Sequence, residues 1–110
     1  MYYEVIAVDF DGTLCQNKWP AIGEPRLDLI EWLKVKGKNG SRLILWTCRE
    51  GELLEAAVDW CRDQGLIFDA VNDNLPAHIA TFGGSNPRKV FADIYIDDKS
   101  LWPFTLDKKG

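Results

Sequence analysis

Val5-Ile6-Ala7-Val8-Asp9-Phe10-Asp11-Gly12-Thr13-Leu14 passes from four apolar residues directly into two aspartates and a Gly-Thr turn. A short run of Val, Ile and Ala reads as a strand buried on both faces. Ionised carboxylates at the end of such a strand are costly to desolvate, so something must stabilise them. A divalent cation does so, and Mg²⁺ takes oxygen ligands from one or two carboxylates together with a substrate phosphate. Asp9 and Asp11 are therefore the first candidates for a functional site.

Working outward, the first strand is expected over residues 3–9, followed by a polar, turn-rich flap over about 15–24 with Trp19-Pro20 at its middle. Pro25 suits the first turn of a helix, and Leu27, Ile30, Trp32 and Leu33 give it an apolar stripe running to about residue 36. A second strand is read over 42–47 and a second helix over 51–64, with Leu54, Ala57, Val58 and Cys61 inward and Gly65 stopping it. Residues 66–71 read as a third strand and 77–81 as a short helix. The segment 90–96 leads into a last strand that ends at Asp97-Asp98. This order predicts a three-layer, Rossmann-like α/β domain with a central parallel sheet, right-handed crossovers and helices on both faces. Ligands on such sheets bind beyond the carboxyl ends of the strands, so Asp9, Thr47, Asp97 and Asp98 should share one rim.

The 110 residues are the size of one domain, 1–110, and the 46% hydrophobic and 27% charged content is that of an ordinary globular chain. A net charge of −4 gives no overall attraction to nucleic acid or to an anionic membrane. The first residues lack the basic and apolar regions of a signal peptide, and no apolar run reaches membrane-spanning length. Cys15, Cys48 and Cys61 form no Cys-x-x-Cys pair, which fits reduced thiols in a cytoplasmic protein.

Acidic strand ends converging on one rim make a site for a hard cation, with a carboxylate left over for catalysis. Asp9 could attack phosphorus as a nucleophile, and Asp11 could protonate the leaving oxygen and later activate water. Asp97 and Asp98 would complete the Mg²⁺ environment. Thr47 offers a hydroxyl, Arg49 a planar fork suited to phosphate oxygens, and Lys89 or its rival Arg88 a neutralising cation.

The motif Asp9-Phe10-Asp11-Gly12-Thr13-Leu14 after an apolar strand resembles the first motif of the haloacid dehalogenase (HAD) superfamily. Thr47 at a strand end resembles the second motif, Lys89 the basic third, and Ile94-Tyr95-Ile96-Asp97-Asp98 the acidic fourth. The resemblance implies that Asp9 is nucleophile and Mg²⁺ ligand, and that Asp11 is general acid/base, binding the metal through its backbone carbonyl. Thr47 and Lys89 would hold the phosphoryl group, and Asp97 or Asp98 would bind Mg²⁺. A carboxylate at Asp11 points to phosphoryl transfer, since the dehalogenating members lack one there.

The intervals between these motifs leave no room for a cap domain, so the chain resembles the capless, HAD-like phosphatases, whose open sites often serve phosphoproteins or nucleic-acid ends. Thr47-Cys48-Arg49-Glu50 is similar to the second motif of polynucleotide phosphatases, where an arginine two residues on contacts phosphate. The expected activity is Mg²⁺-dependent phosphomonoester hydrolysis through an aspartyl-phosphate. A non-catalytic phosphate-binding domain and a phosphotransferase are the alternatives on the same fold.

Several residues also have plainer readings. Arg49 could equally pair with Glu50, Glu52 or another acid, and Cys48, within the candidate phosphate-binding set, reads more simply as a buried structural thiol. His78 is expected at the surface or in a loop, and the five tryptophans mostly in the core, with Trp19 in the flap. Gly83-Gly84-Ser85-Asn86-Pro87 lacks the spacing of a phosphate loop and reads as the turn that brings Lys89 round.

Overall fold

A computed structural model describes residues 2–101 and Phe104. Val5–Val8 (β1) is the most deeply buried strand, with every residue removed from solvent. It pairs in parallel with Arg42–Leu45 (β4) on one side and Ile94–Ile96 (β6) on the other, and Ala70–Val71 (β5) adds to the outer edge of β4. The sheet order is β5-β4-β1-β6.

The connections follow from that order. Leu27–Lys38 (α1) joins β1 to β4, Gly51–Asp63 (α2) joins β4 to β5, and both steps move the same way across the sheet. Right-handed crossovers then place both helices on one face. There Ile30 and Leu33 of α1 and Ala57 and Cys61 of α2 pack on Ile6, Val8, Leu43 and Leu45. The return from β5 to β6 runs in the opposite direction and so covers the other face. That face holds Val5, Ala7 and Ile44 under Leu75, Val90 and Ala92. The covering segment includes the short helix Pro76–Thr81 (α3), none of whose residues is buried. Helices thus lie on both faces, but the two long ones share one of them.

The flap is an antiparallel hairpin, Cys15–Lys18 (β2) and Ala21–Pro25 (β3), turning at a cis Trp19-Pro20 peptide. A Cβ at Gly23 would collide with the Gln16 carbonyl, so glycine lets the two strands close. Pro25 pairs with Cys15 as the last residue of β3, and α1 begins only at Leu27. Proline is tolerated there because the hairpin strand is an edge with no further partner.

All four strands of this sheet are shorter than expected, β5 and β6 the most. Leu66 turns back to the helix, its N–H donating to the Cys61 carbonyl at 2.9 Å, and Ile67 is exposed, so the strand starts only at Ala70. Between Val90 and Asp93 the chain is looped by the Tyr95 hydroxyl, which donates to the Val90 carbonyl at 2.6 Å and accepts from the Ala92 N–H at 3.1 Å. Among the described residues no helix is long and apolar enough to cross a membrane.

Candidate metal and phosphate site

Because Val8 pairs with Leu45 and with Ile96, the next residues, Asp9, Trp46 and Asp97, come level at the carboxyl rim. The Asp9 N–H donates to the Ile96 carbonyl and the Trp46 N–H to the Val8 carbonyl, both at 2.9 Å. This is also where the connections leaving and re-entering the sheet diverge to opposite faces, the place where open α/β sheets form a crevice.

Carboxylate oxygens of Asp9, Asp97 and Asp98 lie within 4.8 Å of one another. Thr13 ties the two acidic strand ends together. Its buried hydroxyl accepts the Asp98 N–H at 3.1 Å and donates to Asp9 Oδ2 at 3.5 Å. Gly12 is bound to this arrangement twice over. Its φ of +82° favours glycine, and a Cβ would collide with the Asp98 carboxylate. The Asp9 carboxyl is pushed up to about 6, chiefly by burial and further by Asp97, Asp98 and Asp11, against a lowering hydrogen bond from the Phe10 backbone. An all-oxygen set carrying more negative charge than its surroundings balance suits a hard divalent cation.

Asp11 lies outside this cluster. Both its oxygens accept from Arg49, Oδ2 from Nε and Oδ1 from Nη2, each at 2.8 Å. The Arg49 side chain is 1% exposed and that of Asp11 17%. The guanidinium also donates to the carbonyls of Ala21 at 3.1 Å and Leu53 at 3.4 Å, and lies 5.0 Å from the centre of the Phe10 ring. Arg49 therefore neither pairs with Glu50 or Glu52 nor faces solvent. It joins the Asp11 turn, the hairpin and the first turn of α2.

Beyond β4, a cleft of about 280 Å³ is lined by Asp9, Trp46, Thr47, Cys48 and Asp97. Asn72, held at φ 52°, shapes this loop. Its side-chain oxygen accepts the Thr47 N–H at 2.7 Å and its amide donates to the Arg49 carbonyl at 3.3 Å. Thr47 Oγ1 accepts the Arg49 N–H at 3.1 Å, which leaves its own proton for another acceptor. Cys48 is exposed in the cleft, not buried; the buried thiols are Cys15 and Cys61, the latter pushed up to about 12 by burial.

Lys89 and Arg88 are both exposed and neither lines the cleft. The Lys89 ammonium sits 5.3 Å above the Tyr95 ring, and that ring packs 5.6 Å from Trp46, so Lys89 stands one aromatic side chain back from the cleft wall. Buried Asn74 fixes the loop that carries it, donating to Asn86 at 2.9 Å and to the Pro87 carbonyl at 3.1 Å, and accepting from Phe91 N–H at 2.7 Å. Lys99 approaches Asp98 to 3.7 Å at the outer edge of the cluster. His78 lies in α3, half-buried and not in a loop, stacked on Tyr3 just before β1 with ring centres 5.9 Å apart. None of the four described tryptophans is fully buried, Trp19 stands exposed at the hairpin turn, and Trp102 lies outside the described residues.

The chain matches no family model and no curated protein sequence. A solved structure of a conserved protein from Bacteroides thetaiotaomicron matches it with a TM-score of 0.80 and 44% identity, over 91% of this chain and 79% of that one. The chain belongs to that protein's family. The two share the fold over the matched part.

Sequence reasoning missed Thr13, Asn72, Asn74 and Lys99. The first is the Thr of the Asp-Gly-Thr turn and could have been read from that motif. The two asparagines lie between the expected third strand and the short helix, where no local pattern marks them.

Proposed function

We propose that this protein is a Mg²⁺-dependent phosphomonoester hydrolase of the capless HAD type, working through an aspartyl-phosphate on Asp9. The reading is carried by one observation, the convergence of Asp9, Asp97 and Asp98 oxygens at the carboxyl end of the central strand. Asp9, Asp97 and Asp98 would hold the ion, which would offset the charge of the three carboxylates and of an incoming phosphoryl group.

In this reading the Asp9 carboxylate attacks phosphorus in line with the departing alcohol, forming one P–O bond as the ester P–O bond breaks. Asp11 delivers its proton to the leaving oxygen and then removes one from the water that attacks the phosphorus of the aspartyl-phosphate, returning Asp9 and releasing phosphate. The free Thr47 hydroxyl proton serves a phosphoryl oxygen. Lys89, released from Tyr95, supplies positive charge from the side of the cleft. With only the short hairpin between Asp11 and α1, the cleft stays open to substrates larger than itself.

The test is a phosphatase screen of the purified protein with Mg²⁺ over nucleotides, sugar phosphates, phosphopeptides and 3′- or 5′-phosphorylated oligonucleotides, beside p-nitrophenyl phosphate. Turnover that requires Mg²⁺ and disappears in Asp9→Asn is the expected result. Undiminished hydrolysis by pure Asp9→Asn protein would sink the reading.

A further inference from the structure

We infer that Arg49 is a positioning residue for Asp11 and not a phosphate ligand, an inference that rests on the phosphatase reading above. Two independent observations carry it. The first is occupancy: of the five N–H donors of a guanidinium, four are engaged, two on Asp11 and one each on the Ala21 and Leu53 carbonyls, which leaves a single N–H on Nη1. The second is access. The residue is 3% exposed and lies over the Phe10 ring, so a phosphate could reach it only by displacing the hairpin or helix α2.

The fork has a chemical consequence for the reaction. Asp9, Asp97 and Asp98 already supply three carboxylates to one small volume. A fourth, free to rotate, would join them, add charge and compete for the same cation. Two parallel bonds at 2.8 Å to a rigid, buried guanidinium fix the plane of the Asp11 carboxylate and hold it apart from the cluster. The carboxylate two residues from the proposed nucleophile is thereby kept out of the metal set, and the second lone pair of each of its oxygens is left to take up and pass on a proton. The bond to Ala21 makes the hairpin part of the same support.

Positioning of a general acid is separable from phosphate binding and from fold stability by the choice of leaving group. An alkyl alcohol leaves poorly unless protonated, whereas p-nitrophenolate leaves with little help. The experiment compares Arg49→Lys and Arg49→Met with the wild type on p-nitrophenyl phosphate and on glycerol 2-phosphate, reading kcat/KM, and measures the thermal shift that Mg²⁺ with BeF₃⁻ gives each protein. The expected result is a loss about 100-fold larger on glycerol 2-phosphate than on p-nitrophenyl phosphate, with the BeF₃⁻ shift retained, in keeping with the usual worth of general acid catalysis. Equal losses on both substrates overturn the inference. If neither variant folds, a crystal structure of the wild type with Mg²⁺ and BeF₃⁻ decides the matter: Arg49 still forked on Asp11 supports positioning, and Arg49 bonded to fluorine overturns it. A wild-type protein with neither turnover nor a BeF₃⁻ shift overturns the phosphatase reading itself, a result distinct from any of these.

Discussion

The two rims of the central sheet carry the same kind of side chain in opposite circumstances. At the amino-terminal rim, Asp93 accepts the Val5 N–H at 2.8 Å and the Tyr2 hydroxyl at 2.7 Å, and Asp69 accepts the Leu43 N–H at 2.8 Å. Each carboxylate there closes off a strand that would otherwise start with an unmet donor. The Val5 N–H and the Tyr2 hydroxyl hold the Asp93 carboxyl below its ordinary value. At the carboxyl rim, Asp9 is half-buried beside two further, exposed carboxylates and is raised to about 6. One rim spends its acids on the fold. The other gathers them where they close no strand, and it is on that gathering that the proposed cation site rests.

The strongest way to break this contrast is to remove Asp9, the acid proposed as nucleophile. Asp9→Asn is expected to lower phosphatase kcat by about 10⁴-fold or more, as loss of a covalent nucleophile does elsewhere, whereas Asp93→Asn should leave kcat within about 2-fold. A steady-state assay on both variants checks it.

Next in size is the response to the metal. Mg²⁺ at about 100 times its dissociation constant should stabilise the protein by roughly 2.7 kcal/mol, and Asp97→Asn should remove most of that gain. Calorimetric melts with Mg²⁺ and with EDTA measure it, and an unchanged shift in Asp97→Asn would remove that residue from the ligand set. Gly12→Ala should destabilise the protein by about 2 kcal/mol, since its backbone is left-handed and the new methyl meets Asp98. Denaturant titration gives the number, and the Mg²⁺ shift of the variant should shrink with it.

The smallest effects are opposite in sign, which makes them the sharpest comparison. Asp9 has a folded value above the ordinary 3.8, so without metal its contribution is fully present in acid and is lost as pH rises through about 6. Metal-free Asp9→Asn should therefore melt a few degrees above the wild type near pH 7.5 and level with it near pH 4. Asp93 is lowered, so its contribution is present above the ordinary carboxylate range and is lost as pH falls below it. Asp93→Asn should cost about 1 kcal/mol near pH 7.5 and nothing in strong acid. Melting curves in EDTA across this range test both, and a common sign would erase the distinction between the rims.

The features legible in the sequence are those with a local signature. The run Val5 to Val8 announced β1, the spacing of Leu54, Ala57, Val58 and Cys61 announced α2, and the acids at 9, 97 and 98 were each read at a strand end. What escaped depended on contacts between distant residues. Arg49 meets Asp11 across 38 positions, and nothing near it in the chain distinguishes a buried fork from a solvent-facing one. Leu66 to Phe68 had strand composition, but the helix end before them captured the backbone, and the Tyr95 hydroxyl did the same to residues 90–93. Cys48 follows an apolar strand and reads as buried, yet the turn set by Asn72 carries it out to the cleft.

The pairing of β1 with β6 bears on when the proposed site forms during folding. Val5 and Asp93 are bonded across 88 positions, and the acids that form the cluster lie just beyond those same two strands. Such non-local parallel pairing forms slowly, because a long loop must close before any contact rewards it. A fragment that lacks either strand cannot contain the whole cluster, so on the proposed reading capture of a cation should follow the pairing of β1 with β6. A metal-sensitive dye would then report completion of the entire domain, and Mg²⁺ added during refolding would slow unfolding more than it speeds folding.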